Sequence, residues 1–167
     1  LFGALEVSTT LAGAGVQPII GVHQAFVAED FDLPLSRGER HPALVLLAKN
    51  EAGYRNLLKL TSAAFLRSAA EDAVCGSLAM LDGASDGLIC LTGGYDGPVD
   101  CLLRKGRMNE ARQTLEKLQA LFPDRLYVEL QRHEARAREN VEGALIDLAY
   151  DFELPIVATN EPFFPSP

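Results

Sequence analysis

Asp86-Gly87-Leu88-Ile89-Cys90-Leu91-Thr92-Gly93-Gly94 is the stretch on which the fold turns. Its middle holds no polar residue between Leu88 and Leu91, and glycines punctuate both ends. A run this short and this apolar fits a strand covered on both faces, the kind found in sheets flanked by helices. Four other runs share the character: residues 19–27, 42–48, 125–131 and 154–159. Between them lie segments with helical spacing. Leu1 to Ala14 reads as a helix with Ala4, Leu5 and Leu11 on one side, ended by Gly15. A second follows Lys49-Asn50, with Tyr54, Leu57, Leu58 and Leu60 as its apolar face. Gly97-Pro98 starts a third that carries Val99, Leu102 and Leu103. Asn109 to Leu121 is strongly amphipathic through Ala111, Leu115 and Leu118, and a last helix is expected over about 138–152. Strands alternating with helices predict an α/β fold, a mostly parallel sheet or barrel covered by helices. The stretch 28–40 reads as a surface loop with a short hairpin, and 66–84 as irregular chain, a short helix near Leu78–Leu81, or both.

The composition narrows what such a domain does. At 167 residues the chain is sized for one domain, and no repeat or low-complexity tract marks a linker. Its 23 acidic against 15 basic residues give a formal charge of -8, a poor surface for holding a polyanionic backbone, since nucleic-acid affinity rests largely on phosphate neutralisation. Direct DNA holding by this piece is therefore disfavoured. Cys75, Cys90 and Cys101 are odd in number and show no C-x-x-C spacing, which argues against a disulfide framework or zinc finger. With no signal-peptide pattern and no run of eighteen apolar residues, the expectation is a cytoplasmic, non-membrane protein.

The candidate chemistry lies at strand ends. His23, His41 and His133 each sit at an edge of a strand-like run, where loops leave a sheet and side chains converge. Glu129 and His133 share one strand exit and Glu161 follows another, so imidazoles and carboxylates can meet above one sheet edge. Such a donor set suits zinc or manganese better than magnesium, which prefers oxygen, and two such ions could activate water against a phosphate ester. The bland reading is a set of hydrogen-bonded boundary histidines. Other chemistries lack support: there is no Walker loop, no G-x-G-x-x-G and no G-x-S-x-G elbow. Gly93-Gly94 serves a tight turn or a phosphate approach, Cys101 reads as core with no visible cation to activate it, and Tyr54-Arg55 reads as a packed ring beside a solvated cation or as an anion site.

A set of motifs extends through the chain. Gln17-Pro18-Ile19-Ile20-Gly21-Val22, His41 to Asn50 with Gly53-Tyr54-Arg55-Asn56-Leu57, Gly87 to Gly94, Phe122 to His133 and Leu154 to Glu161 together resemble the PHP (polymerase and histidinol phosphatase) domain of bacterial C-family replicative polymerases, the family of DNA polymerase III alpha subunits. The resemblance implies a distorted seven-stranded (β/α) barrel, incomplete here if the chain is cut at both ends, as an opening at Leu1 without a polar cap suggests. Complete members hold up to three metal ions at the C-terminal strand ends. Some are implied to be metal-dependent 3'-5' exonucleases. Others serve as a brace for the polymerase and as the platform for a proofreading subunit within the replicase assembly, with DNA contacted mainly by the remaining polymerase domains.

The carry-over of the site is partial. The H-x-H-S and T-D-H-like segments would precede Leu1, and a final D-x-H would follow Pro167. His23 stands where active members have Glu, His41 where the family places His or Thr, and Gly94 where ligand-bearing relatives tend to have Cys. His133 matches the histidine of the E-L-x-x-H segment. Asn160-Glu161-Pro162-Phe163 stands for an N-D-x-H pattern, with Glu161 for Asp and Phe163 for His. The expected metal site is thus residual, with His23, His133, His41 and Glu161 as its remaining candidates for zinc, manganese or magnesium and no catalytic residue assigned. A scaffold reading leads. An active phosphoesterase comes second, and a stand-alone phosphatase third, because the likeness runs through non-catalytic segments such as Gly53–Leu57.

Overall fold

The computed structural model describes residues 3–67, 74–132 and 141–160. Five strands form one sheet in chain order: β1 Gly21–Ala25, β2 Ala43–Ala48, β3 Leu88–Leu91, β4 Leu126–Gln131 and β5 Ile156–Thr159. The helices are α1 Ala4–Gly13, α2 Glu51–Arg67, α3 Pro98–Arg104, α4 Met108–Leu121 and α5 Glu142–Asp151. The sheet is mixed. β3, β4 and β5 are parallel, whereas β1 with β2 and β2 with β3 are antiparallel.

The route between β2 and β3 explains the departure from a mostly parallel sheet. A 17-residue helix carries the chain ~25 Å back along the sheet. There Gly76 bridges to Phe26, and the Leu78 N–H donates to Asp30 Oδ2 at 2.7 Å. The segment from Leu81 to Gly87 then runs back to the start of α2, so β3 begins beside the end of β2. Asn56 Nδ2 donates to the Asp86 carbonyl at 2.9 Å, and a Cβ at Gly53 would lie 1.9 Å from the Gly87 carbonyl oxygen. Only glycine permits that approach of helix to strand.

Register assigns the two faces. Leu44, Leu46, Leu88, Cys90, Leu126 and Val128 point to one side and are almost wholly buried. Against them pack Leu57, Leu102, Leu115, Leu118 and Leu148 from α2 to α5. At roughly 1.5–3 kcal/mol per fully buried side chain, this face supplies most of the driving force for folding. Phe26 and Phe31 close one end in an edge-to-face pair with centroids 6.5 Å apart. The 28–40 loop holds a 3-10 turn at Ala28–Phe31 and no hairpin among its described bridges, because Phe31 and Leu33 anchor it into the core. A 3-10 turn at Leu78–Leu81 fills the ambiguous middle.

Two helical expectations shift. α1 has no buried residue and Leu5 is 81% exposed, so its apolar side does not join the core. On α2 the buried line is Gly53, Leu57, Leu60 and Ala64, and Leu58 faces out.

Candidate functional site

The opposite face of the sheet, apolar at Val45, Leu47, Ile89 and Leu91, also carries a set of polar side chains. His23 on β1, Glu129 and Gln131 on β4 and Thr159 on β5 share it by register. The ends that matter coincide, because the C-termini of β1, β3, β4 and β5 and the start of β2 gather at one edge.

Glu129 is buried and held by three donors. Oε2 accepts the Gly93 N–H at 3.1 Å, while Oε1 accepts Thr159 Oγ1 at 2.5 Å and Gln131 Nε2 at 3.2 Å. The Glu129 N–H donates to the buried Thr92 Oγ1 at 2.9 Å. Gln131 reaches Thr159 Oγ1 as well, at 3.2 Å, and its Oε1 accepts the Tyr95 N–H at 3.4 Å. One amide thus ties β4 to β5 and to the turn after β3. These donors replace the hydration that the carboxylate gives up on burial.

Gly94 makes this arrangement possible. Its φ is +52°, and a Cβ built there would lie 2.4 Å from Gln131 Cδ and 2.5 Å from its Oε1. The amide of Gln131 occupies the volume that a side chain at position 94 would need. The paired glycines serve a turn, and the amide of Gly93 is spent on the Glu129 carboxylate rather than left for a phosphate.

His23 and His41 lie across the sheet from Glu129, His23 on β1 with β2 and β3 between, and His41 just before β2 with β3 between. Both line a cavity of about 1240 Å³ with Ala25, Ala43, Tyr95 and Arg104. His23 is exposed; His41, two residues before β2, is partly buried, and its Nδ1 has no hydrogen-bond partner among the described residues. The other two candidates, His133 and Glu161, lie outside the described residues, as does Phe163. Among the described residues no group of three His, Cys, Asp or Glu side chains is placed to hold a metal ion.

Sequence reasoning missed the residues that organise this edge. Gln131 and Thr159 are unremarkable amide and hydroxyl side chains, and only the β4–β5 register makes them partners. Cys101 is not without a cation: Arg104 Nη2 lies 3.3 Å from its sulfur, and the guanidinium stacks 3.8 Å above the Tyr95 ring. Burial nevertheless outweighs Arg104 and holds the Cys101 thiol above its ordinary value. Burial likewise pushes the Cys90 thiol up, as its place in the core requires. Arg55 pairs on the exposed face of α2 with Glu51 at 2.5 Å, which leaves the solvated reading in place.

The mixed sheet is clad by helices on one face and carries polar side chains near one edge of the other. The model of the PHP domain matches residues 1–133, and the chain belongs to that family. The relatives narrow the kinship to DNA polymerase III alpha subunits. The chain is 46% identical over its whole length to the DNA polymerase III subunit alpha of Caulobacter vibrioides. Identity is 36% over 98% of the chain with that of Vibrio cholerae, and 34% over 96% with that of Treponema pallidum. It spans 14% of the length of each of these relatives. Among the described residues no helix is long and apolar enough to cross a membrane.

Proposed function

We propose that this chain is a single PHP domain of a longer DNA polymerase III alpha subunit, in which it acts as a structural brace and as the docking platform for a proofreading subunit. The remaining polymerase domains work with it in cis, make the main contacts to DNA and carry out DNA-directed synthesis in the cytoplasm. β1 and β5 each have one neighbour among the described strands, which suits completion to the seven-stranded barrel of the family. The metal site is degenerate. The observation that carries this reading is the Gln131 amide, which fills the space a ligand at Gly94 would need and holds the Glu129 carboxylate together with Thr159. Catalytic metals require a fixed ligand set and an open position, and a carboxylate already holding three hydrogen-bond donors is a poor ligand for one.

A second reading, an active metal-dependent exonuclease or phosphoesterase, draws on His23 and His41 in one cavity and on the unpartnered His41 Nδ1. A stand-alone phosphatase ranks below both, because the likeness to polymerase subunits covers the entire chain. Zinc, manganese or magnesium would be the ion of the second reading. Metal analysis and a nuclease assay on the full-length subunit, with His133→Ala as control, separate the alternatives. The degenerate reading expects substoichiometric metal and no metal-dependent hydrolysis. Stoichiometric metal, with hydrolysis that His133→Ala abolishes, would overturn it.

A further inference from the structure

The connection from β3 into α3 holds a buried acid that the reading above leaves unused. Asp100, in the first turn of α3, is only 7% exposed, and its Oδ2 has no hydrogen-bond partner among the described residues. On its own helix it faces Arg104 and the Cys101 thiol. The Arg104 guanidinium is partly committed elsewhere, to the Tyr95 ring and to Cys101 Sγ. From β4 it faces Glu129, a second buried acid. Asp96, in the turn before α3, adds negative charge beside Cys101. α4 packs along α3, and its buried residues Ala111, Thr114, Leu115 and Leu118 bring no charge.

Ionising such a group costs free energy that a single shared cation does not return. Burial, opposed by Arg104 and reinforced by Glu129, pushes the Asp100 carboxyl up to about 7. We propose that Asp100 is a proton-operated latch: neutral, it seats the first turn of α3 beside the ends of β3 and β4, and ionised, it loosens the segment from Gly94 to Arg104. That segment supplies Tyr95, Asp96, Cys101 and Arg104 to the wall of the cavity shared with His23 and His41. It also carries the Tyr95 N–H that holds Gln131, so loosening reaches the Glu129 network. The inference rests on α3 and stands whether or not the metal site is degenerate.

The direction with pH follows from linkage. The closed form binds the Asp100 proton more tightly than an opened form in which the carboxyl regains its ordinary value of 3.8. Closure is therefore most favoured at low pH and weakens as pH rises from about 4 to about 7, above which the loss levels off. Between pH 6 and pH 8 the closing equilibrium falls about tenfold.

Hydrogen exchange followed by mass spectrometry on the full-length polypeptide tests this, with rates at pH 6 and pH 8 corrected for intrinsic exchange. Peptides spanning residues 94–104 are expected to open about tenfold more at pH 8 than at pH 6. Peptides from α4 serve as the reference that does not change. Asp100→Asn should remove the pH dependence while keeping the protection seen at pH 6. Equal opening at both pH values in the wild type, or an unchanged pH dependence in Asp100→Asn, overturns the latch. If the variant fails to fold, the wild-type comparison between residues 94–104 and α4 decides alone.

Discussion

Two edges of one sheet face differ in how their side chains are satisfied. Around Glu129 each carboxylate oxygen has a donor within 3.2 Å, drawn from the turn after β3, from β4 and from β5. Around His41, two strands away, a buried ring nitrogen has no hydrogen-bond partner among the described residues, and the residue lines a cavity of about 1240 Å³. The first edge is tied together by its own hydrogen bonds. The second lines a cavity, and among the described residues no three ligand-bearing side chains converge there.

The sharpest way to break the comparison is Glu129→Ala. It would strand the buried Gly93 N–H and remove the acceptor of the half-buried Gln131 amide and Thr159 hydroxyl, and is expected to cost about 3 kcal/mol in denaturant unfolding. A loss below about 1 kcal/mol would mean that the network is incidental. Next in size, Gly94→Cys forces a Cβ against Gln131 at a positive φ and should cost about 1–3 kcal/mol. Adding Gln131→Ala should return part of that loss, and a double-mutant cycle with no coupling would show that the two positions do not compete for one volume.

The other edge should respond weakly. His41→Ala and His23→Ala, which break no described hydrogen bond of either imidazole ring, are expected to shift stability by under about 1 kcal/mol each. A larger loss for His41 would reveal a partner for its ring and narrow the difference between the edges. The smallest effect belongs to Glu39 at the cavity wall. Its hydrogen bond from Lys105 Nζ, at 2.8 Å, is the main cause that holds its carboxyl below the ordinary 4.5, with the Ser36 N–H adding to it. The contribution is present above that value and is lost as pH falls through the lowered one. Lys105→Ala should move the Glu39 titration upward in a carboxylate NMR experiment, and an unmoved titration would assign the shift to Ser36 instead.

Much of the fold was legible because buried strands advertise themselves. Leu88–Leu91 and Ala43–Ala48 are apolar runs closed by glycine or a polar turn, and the spacing of Ala111, Leu115 and Leu118 fixes the inward side of α4. α1 misled because its leucines have helical spacing without a surface to cover, and periodicity reports a helix but not its neighbour. The parallel expectation missed the return leg from Leu81 to Gly87, since a helix between two strands suits either direction once the chain has length to come back. Of the candidate site, the position of His23 and His41 at one rim was legible, while the roles of Gln131 and Thr159 were not.

By itself the sequence determined the five strands, the amphipathic helices and the kinship with PHP domains, because apolar periodicity and motif order are written along the chain. Tertiary structure alone decided strand direction and the partners of Glu129. It also decided that Gln131 takes the space above Gly94 and that Asp100 is shut away from water. The physical reason is that hydrogen bonding, excluded volume and desolvation act between residues dozens of positions apart, and no local pattern records which of them will meet.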